Sequence, residues 1–276
     1  MNITIPKFIK WAGGKERLLK QYSSLFPKEF NNYYEPFVGG GAVFFYIKQK
    51  YAPKKSLISD INGQLINTYN IIKEHPQKLI SQLKQHKSYH MVHGKKYYLL
   101  IRSTEPSQLP KLEQAARFIY LNKTCYNGLY RVNSKGQFNV PMGKYDNPDI
   151  VQEHKIMQAS KLLQDVSIKN MSFERVLDYA KKGDFVYFDP PYYPEKKTSF
   201  TKYHASNFLE EEHKKLYEVF DKLSRRGVFV MMSNSNTEFI RKLYAQYNIH
   251  SVSANRMINS DACKRGKIKE LVVTNY

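Results

Sequence analysis

The sequence predicts a mixed α/β fold in which helices cover a mostly parallel sheet. Short apolar runs typical of buried strands alternate with stretches of helical periodicity. A basic segment with a different sequence pattern, residues 74–147, interrupts this alternation of strands and helices. The 276 residues are enough for one large domain and a smaller one. We therefore predict a larger domain formed by residues 1–73 and 148–276, with residues 74–147 inserted into it.

The larger domain is expected to follow the alternation in order. Strands are predicted at residues 33–38, 57–60, 166–168, 185–188, 228–232, 249–253 and 270–274. Helices are predicted at residues 42–49, 63–73, 173–180, 209–224 and 237–247. In the inserted segment, residues 76–121 are basic and helical in pattern, most clearly at 114–122. Residues 127–145 alternate around Ser134-Lys135-Gly136, which predicts a hairpin.

The charge of the chain points to a polyanionic partner. Lys and Arg number 44 against 24 Asp and Glu, for a formal net charge of +20. Such a surplus costs self-repulsion in the folded state, which a nucleic acid would relieve. The 22 tyrosines and 16 phenylalanines also suit base stacking, although most are expected in the core. A generally basic protein without such a partner is the alternative.

The sequence contains no clear pattern for a targeting segment, a membrane span or a metal site. No apolar run approaches the ~20 residues of a membrane-spanning helix, and residues 1–15 lack a signal-peptide pattern. The two cysteines, Cys125 and Cys263, form no CxxC pair, which favours a reducing, cytoplasmic setting. The histidines at positions 86, 90 and 93 have ligand-like spacing, but no cysteine pair accompanies them. No metal and no membrane are therefore expected.

The tetrapeptide Asp189-Pro190-Pro191-Tyr192 directly follows the predicted strand at 185–188. Ligands bind beyond the carboxyl ends of strands in an open α/β sheet. The Asp189 carboxylate and the Pro190 carbonyl both accept hydrogen bonds, so together they can hold an amino group such as adenine N6. Tyr192 offers a face on which a base can stack. A strand that simply ends at a proline turn is the alternative.

A glycine turn, residues 35–41, follows the first predicted strand. Its glycines let a ligand approach the backbone closely. Asp60 lies about 20 residues after Gly39, at the end of the next strand, where a carboxylate can accept hydrogen bonds from ribose hydroxyls. Phe44 stands where a dinucleotide fingerprint needs its third glycine, which favours a nucleoside-type cofactor. Taken alone, the glycines are better explained by an ordinary tight turn.

The single tryptophan, Trp11, stands between Lys10 and Lys15 and before two glycines. A ring in this position can cover a ligand, and the lysines can meet a carboxylate or a phosphate. A buried tryptophan flanked by solvated lysines is the alternative.

Taken with these motifs, the chain resembles the DNA adenine methylase (Dam) family, N6-adenine methyltransferases with DPPY late in the chain. The matching stretches are FIKWAGGK at 8–15, YEPFVGGGAVF at 34–44, SDIN at 59–62, YNGLYRVNSKGQFNVPMGKY at 126–145, YFDPPY at 187–192, SFTKYH at 199–204 and GKIKELVVTNY at 266–276. The resemblance implies a Rossmann-like sheet that uses S-adenosylmethionine as methyl donor. It also makes residues 74–147 a target-recognition domain and the remainder the catalytic domain.

The resemblance further implies a role for individual residues. Those matching the cofactor site are Trp11, Lys15, Phe37, Gly39, Asp60 and Asp189. Those matching the catalytic grip on a flipped adenine are Asp189, Pro190 and Tyr192. Those matching contacts with double-stranded DNA are Lys10, Tyr126, Asn127, Leu129, Arg131 and Tyr145. Most of the last group lies in the predicted hairpin, residues 125–147, where Arg131 would read a guanine.

The resemblance implies GATC as the target, and an arginine can bind guanine O6 and N7 bidentately. Two departures are seen. Lys144 replaces an arginine of a well-known member, and Ser134-Lys135 at the hairpin tip also differs. We expect these changes to affect phosphate or flanking contacts. A role beside a restriction nuclease, a solitary role and a phage origin all stay open, and no obligatory protein partner is inferred.

Other classes of protein fit less well. A zinc nucleobase deaminase needs HxE and PCxxC, which are missing. A non-catalytic DNA-binding protein explains the charge but not the combination of DPPY, Asp60 and the glycine turn. Protein-amide methyltransferases usually carry Asn where Asp189 stands. RNA as the methylated substrate stays open.

Overall fold

The computed structural model describes residues 3–195, 208–255 and 267–276. In these ranges seven strands form one sheet with the order β3-β2-β1-β4-β5-β7-β6. The strands are β1 Tyr33–Pro36, β2 Ser56–Asp60, β3 Val166–Asn170, β4 Phe185–Phe188, β5 Phe229–Ser235, β6 Asn248–Asn255 and β7 Lys267–Thr274. β1 pairs in parallel with β2 and β4, and β4 with β5, whereas β7 is antiparallel to β5 and β6. The predicted α/β class and mostly parallel sheet are confirmed.

Helices alternate with most of these strands. They are α1 Leu19–Tyr22, α2 Ala42–Tyr51, α3 Gly63–Glu74, α4 Pro76–Ser103, α5 Lys111–Thr124, α6 Glu153–Leu163, α7 Glu210–Arg225 and α8 Glu238–Leu243. Short 3-10 helices are Glu16–Leu18, Pro106–Gln108, Tyr126–Gly128 and Phe173–Asp178. The predicted helix at 173–180 is therefore a 3-10 helix. The one predicted at 237–247 is shorter, because the backbone at Tyr244 leaves the helical region.

The chain divides into two compact units. The first contains the described residues of Met1–Gly14, Gly39–Lys50 and Asp60–Asn170, and the second those of Lys15–Val38, Tyr51–Ser59 and Met171–Tyr276. In the first unit α3 and α4 pack on both α5 and α6. The Asn62 side chain caps α3 by accepting a hydrogen bond from the Leu65 N–H at 3.1 Å. Gly94, with φ 48° and ψ −120°, interrupts α4.

Residues 125–145, which follow α5, extend away from the helix and return antiparallel to themselves without forming regular strands. We call this segment the excursion. Isolated bridges join Cys125 to Met142 and Val132 to Phe138. The turn at its tip is closed by the Gly136 N–H, which donates to the Asn133 carbonyl at 2.9 Å. The excursion therefore presents exposed residues at its tip while its base is tied to the end of α5.

The core of the second unit lies between α7 and the strands β4 and β5. Leu216, Phe220 and Leu223 recur at helical spacing on the buried face of α7. They belong to one apolar cluster with strand residues such as Val186 and Val230, all essentially inaccessible to solvent. This packing fixes the ends of β4 and β5 on a rigid support.

Lys123, at the end of α5, carries a buried amino group in the first unit. Its Nζ donates to Gln152 Oε1 at 2.7 Å, and the residue is 5% exposed. Burial, followed by the charge of Lys155, lowers the pKa of Lys123 from 10.5 to about 7, although Asp149 opposes the shift. The folded chain therefore releases a proton that the unfolded chain keeps until about pH 10.5.

We expect stability to depend on pH through Lys123. Between pH 7 and 10.5 the unfolded state binds more protons, so the free energy of unfolding rises with pH, by about 1.4 kcal/mol per unit. Lys123→Met removes this slope and stabilises the protein near pH 7. Denaturant unfolding between pH 7 and 9 measures both effects, with Lys84→Met as the control at an exposed lysine. Equal pH slopes for the wild type and Lys123→Met would contradict the expectation.

Candidate active site

The strand order places a topological switch point at β1. Its neighbours β2 and β4 lie on opposite sides, and open α/β sheets bind ligands beyond the carboxyl ends of the strands at such a point. Phe37 follows β1 and Asp189 follows β4, both in the second unit. The two motifs predicted to carry the chemistry therefore begin at the position where this fold binds ligands.

Asp189 is held by a polar network at the end of β4. Its Oδ1 atom lies 2.9 Å from Lys15 Nζ and accepts a hydrogen bond from Ser233 Oγ at 2.8 Å. Tyr187 OH shares a further 2.8 Å hydrogen bond with Ser233 Oγ. These two contacts with Asp189 use the same oxygen, and the side chain is 21% exposed. Asp189 is thus fixed in orientation and still within reach of a ligand.

Lys15 joins Asp189 to the tyrosine of the same tetrapeptide. The lysine is only 4% exposed, and its Nζ stands 4.8 Å from the centroid of the Tyr192 ring. An ammonium at this distance is attracted by the face of an aromatic ring. The structure therefore brings together three predicted site residues: Lys15, Asp189 and Tyr192.

The other end of Tyr192 contacts a residue that sequence reasoning missed. The Tyr192 hydroxyl donates to Glu270 Oε2 at 2.8 Å. Burial raises the pKa of Glu270, while Lys15 and the Tyr192 hydrogen bond counteract this. Burial, Tyr22 and Asp189 in turn raise the pKa of Tyr192 well above its usual value. Tyr192 is therefore a neutral donor.

The backbone around the tetrapeptide is fixed by packing and by β5. Pro190 is buried, whereas Pro191 is exposed. The Tyr193 N–H donates to Asn234 Oδ1 at 3.1 Å, and Ser235 Oγ donates to the Tyr193 carbonyl at 2.6 Å. These contacts hold the segment that leaves the site.

Phe37 is strained in a way that marks the end of β1. Its φ of 94° is rare for a residue with a side chain, and such outliers gather at binding sites. The ring stacks on Phe173 at a centroid distance of 5.3 Å, and its N–H donates to the Ser59 carbonyl at 3.0 Å. These contacts stabilise a backbone conformation that turns the chain sharply into the glycines.

The first unit contains the carboxylate predicted to meet a ribose. Asp60 accepts hydrogen bonds from the Gly39 N–H at 3.2 Å and the Asn62 N–H at 2.9 Å. Burial raises the pKa of Asp60, and the backbone donors oppose this rise. Tyr69 OH donates to the Gly39 carbonyl at 2.9 Å. These hydrogen bonds thus hold the glycine turn and the Asp60 carboxylate in a fixed relative position.

Trp11 packs directly on the glycine turn. A Cβ atom placed on Gly39 would lie 2.7 Å from Trp11 Cδ1 and Nε1. The indole also stacks on Tyr130, with centroids 5.8 Å apart and the planes at 25°. Because Trp11 is only partly buried, the alternative of a core tryptophan does not describe it.

The contact between Trp11 and Gly39 gives a prediction. Gly39→Ala is expected to lower the free energy of unfolding by about 1–3 kcal/mol, because the new methyl group collides with the indole. Gly94→Ala is the matched control, since Gly94 has the same φ of 48° but nothing within 4 Å of an added Cβ. Denaturant unfolding followed through the fluorescence of the single tryptophan compares the two. Equal losses would show that backbone strain alone matters.

Lys10 lies at the base of the antiparallel excursion. Its Nζ is 4.4 Å from the centroid of the Tyr145 ring and 3.3 Å from its hydroxyl. The Asn122 amide accepts from the Lys10 N–H and donates to the Lys10 carbonyl, both at 2.7 Å. Asn122 also donates to the Gly128 carbonyl at 3.0 Å. One amide therefore joins Lys10 to the base of the excursion.

The remaining residues predicted to contact DNA lie on the excursion itself. Tyr126 is 54% exposed, and Asn127 has a positive φ of 54°. Leu129 is partly buried, and its carbonyl accepts from Cys125 Sγ at 3.2 Å. Arg131 donates to Asn139 through Nε at 2.7 Å and through Nη2 at 3.1 Å. Asn139 thus orients the guanidinium, a role that the sequence did not reveal.

The clustered histidines contact tyrosines. His86 Nδ1 lies 2.7 Å from Tyr97 OH, and His90 Nδ1 lies 2.8 Å from Tyr120 OH. Burial lowers the pKa of His86 to about 4. Within the described ranges no group of His, Cys, Asp and Glu is arranged to hold a metal ion, and no helix there is long and apolar enough to cross a membrane. Cys263 and the matched stretch at 199–204 lie outside those ranges.

A doubly wound sheet with Asp-Pro-Pro-Tyr at its switch point defines a Rossmann-like methyltransferase. The family model for D12 class N6 adenine-specific DNA methyltransferases matches residues 11–258. The chain belongs to this family, and it is an adenine-specific DNA methyltransferase.

Relatives support the same assignment along the whole chain. The Type II methyltransferase M1.LlaDCHI of Lactococcus lactis is 44% identical over 282 residues, covering 100% of this chain and 97% of the relative. The Type II methyltransferase M.MjaIII of Methanocaldococcus jannaschii is also 44% identical, covering 99% of both chains. The DNA adenine methylase of Escherichia coli K12 is 34% identical, covering 96% of this chain and 93% of the relative.

Proposed function

We propose that the protein transfers the methyl group of S-adenosylmethionine to N6 of adenine within GATC in double-stranded DNA, after flipping the base out. The observation that carries this proposal is the partly exposed Asp189 carboxylate at the switch point, oriented by Lys15 and Ser233. A carboxylate and a proline carbonyl can together accept both N6 hydrogens. Two acceptors favour a pyramidal nitrogen whose lone pair is directed at an electrophilic carbon.

The cofactor site is proposed to comprise Trp11, Lys15, Phe37, Gly39, Asp60 and Asp189. Asp60 suits ribose hydroxyls, because a carboxylate already fixed by backbone N–H groups can accept further hydrogen bonds. The partly exposed indole of Trp11 can cover a nucleoside, and the Lys15 ammonium can pair with a carboxylate. When bound, S-adenosylmethionine would supply a methyl group on a positively charged sulfonium, from which a neutral thioether departs as the leaving group.

The chemical step follows from these residues. The N6 nitrogen attacks the methyl carbon in line, and no covalent intermediate with the enzyme forms. Holding the two reactants in this geometry supplies most of the rate enhancement. Asp189 stabilises the positive charge that develops on the nitrogen, and the proton that N6 loses after transfer passes to solvent. Tyr192 stacks on the adenine, and Pro190 contributes the second acceptor.

DNA recognition is assigned to residues 74–147, and catalysis to residues 1–73 and 148–276. Flipping a base costs a few kcal/mol, which phosphate contacts of a protein with net charge +20 help to offset. The duplex beside the flipped base would be contacted by Lys10, Tyr126, Asn127, Leu129 and Tyr145. Arg131 would read guanine. Similarity to proteins named Type II methyltransferases favours a restriction–modification role.

The test is expression in a host without adenine methylation, followed by sequencing of modified adenines. We expect N6-methyladenine at GATC sites. In vitro, the protein should transfer labelled methyl groups to a GATC duplex and not to a duplex already methylated at those adenines. Marks at another motif would overturn the GATC assignment, and absence of any modified adenine would overturn the function. An RNA duplex of the same sequence tests the remaining alternative substrate.

A further inference from the structure

Glu270 is a carboxylate that contacts the catalytic tetrapeptide and has no part in the proposed reaction. It lies on β7, where it pairs across the sheet with Ser235 of β5. Its Oε2 accepts the hydrogen bond from Tyr192 OH at 2.8 Å. A carboxylate acceptor makes this a charge-assisted hydrogen bond, which is stronger than one between neutral groups.

Tyr192 is consequently fixed at both ends of its ring. At the backbone end, Pro191 precedes it and the following residue, Tyr193, is bound to Asn234. At the far end, the hydroxyl is bound to Glu270. With both ends tethered, the position of the ring is fixed, and the phenolic proton, which prefers to lie in the ring plane, favours the plane that contains the direction to Glu270.

One face of the Tyr192 ring is already occupied by the Lys15 ammonium group. Lys15 Nζ stands 4.8 Å from the ring centroid while it pairs with Asp189. A cation on one face directs a stacking base to the opposite face. The orientation of the ring thereby defines where the plane of an extruded purine lies relative to the Asp189 carboxylate.

We infer that Glu270 is a positioning residue for methyl transfer, which holds the Tyr192 ring in the orientation that stacks the target adenine. This inference rests on the proposed function of the same site. Glu270 acts through the tyrosine hydroxyl and does not touch the reacting atoms. Its contribution therefore appears in the rate of the chemical step and in base stacking, and not in binding of S-adenosylmethionine.

The experiment is a double-mutant cycle on single-turnover methyl transfer to a GATC duplex. Glu270→Ala and Tyr192→Phe each remove one partner of the hydrogen bond, and each is expected to slow transfer about 10-fold. The double variant should be no slower than either single variant, because both lose the same interaction. Glu270→Gln keeps an acceptor oxygen and should recover most of the rate. Glu218→Ala, at an exposed glutamate of α7, is the matched control.

Two further readouts separate positioning from a loss of fold. The affinity for S-adenosylmethionine and the unfolding midpoint should stay close to wild type in Glu270→Ala. A duplex with 2-aminopurine at the target base should fluoresce more strongly with Glu270→Ala than with wild type, because a flipped base that stacks less is quenched less.

The outcomes are distinct. Equal costs of Glu270→Ala in the wild-type and Tyr192→Phe backgrounds would overturn the inference, as would a Glu270→Gln variant as slow as Glu270→Ala. An unchanged rate in Glu270→Ala would also overturn it. If wild type and Glu218→Ala themselves modify no adenine, the proposed function fails instead, so the two failures cannot be confused.

Discussion

Asp189→Ala is expected to abolish methyl transfer while the cofactor still binds weakly. In the proposed reaction, Asp189 supplies one of the two acceptors for N6 and the negative charge that stabilises the developing cation, so we expect a rate loss of at least about 1,000-fold. Single-turnover transfer of labelled methyl groups to a GATC duplex measures the rate. Equilibrium binding of S-adenosylmethionine measures the remaining affinity. Full activity in Asp189→Ala would refute the role assigned to this carboxylate.

The Asp189 ion pair requires a control for stability. Lys15 is 4% exposed and lies 2.9 Å from Asp189, and removing one member of a buried pair weakens the compensation of the remaining charge. Asp189→Ala is therefore expected to lower the unfolding midpoint, and Asp189→Ala with Lys15→Met should recover part of it. Both should stay inactive. Asp178→Ala, at an exposed aspartate of the same unit, should leave activity and stability near wild type.

Arg131→Ala is expected to reduce sequence preference more than overall affinity for DNA. A bidentate arginine–guanine contact contributes about 1–3 kcal/mol of discrimination, or roughly 5-fold to 150-fold between the correct and an altered base pair. Initial rates on a panel of duplexes, each altered at one position of GATC, measure the loss. The loss should be confined to the position that Arg131 reads. Unchanged preference across the panel would contradict its assignment.

Two neighbouring residues provide controls for Arg131. Lys135, exposed at the tip of the excursion, should contribute through phosphates alone, so Lys135→Ala should weaken binding equally for all sequences. Asn139 fixes the guanidinium through its side-chain and backbone oxygens. Asn139→Ala should therefore cause a smaller loss of preference at the same position as Arg131→Ala.

The sheet was largely readable from the sequence because buried strands carry a local signal. The run at 185–188 is β4, and all four of its residues are buried. The antiparallel direction of β7 was not readable, since apolar periodicity contains no information on strand direction. The helix α6 was missed, although Ile156, Ala159 and Leu163 have helical spacing. Its N-cap, Gln152, makes no side-chain capping bond, which left its start unmarked.

The candidate site was predictable only where its residues form contiguous motifs. The tetrapeptide at 189–192 and the glycine turn at 35–41 could be recognised from their sequence alone. Ser233 and Glu270 could not, because each is a single polar residue brought to the site by a distant strand. Asn122 and Asn139 were missed for the same reason. Their partners are set by tertiary folding, which leaves no periodic pattern in the chain.

The amide of Asn122 has a consequence for how specificity should be measured. It binds the backbone of Lys10 and the carbonyl of Gly128 at once, so a displacement of either segment is transmitted to the other. We expect the penalties for two altered base pairs, one contacted by Lys10 and one read by Arg131, to differ from the sum of the single penalties. A scoring matrix that treats the base pairs as independent would then misrank doubly altered sites.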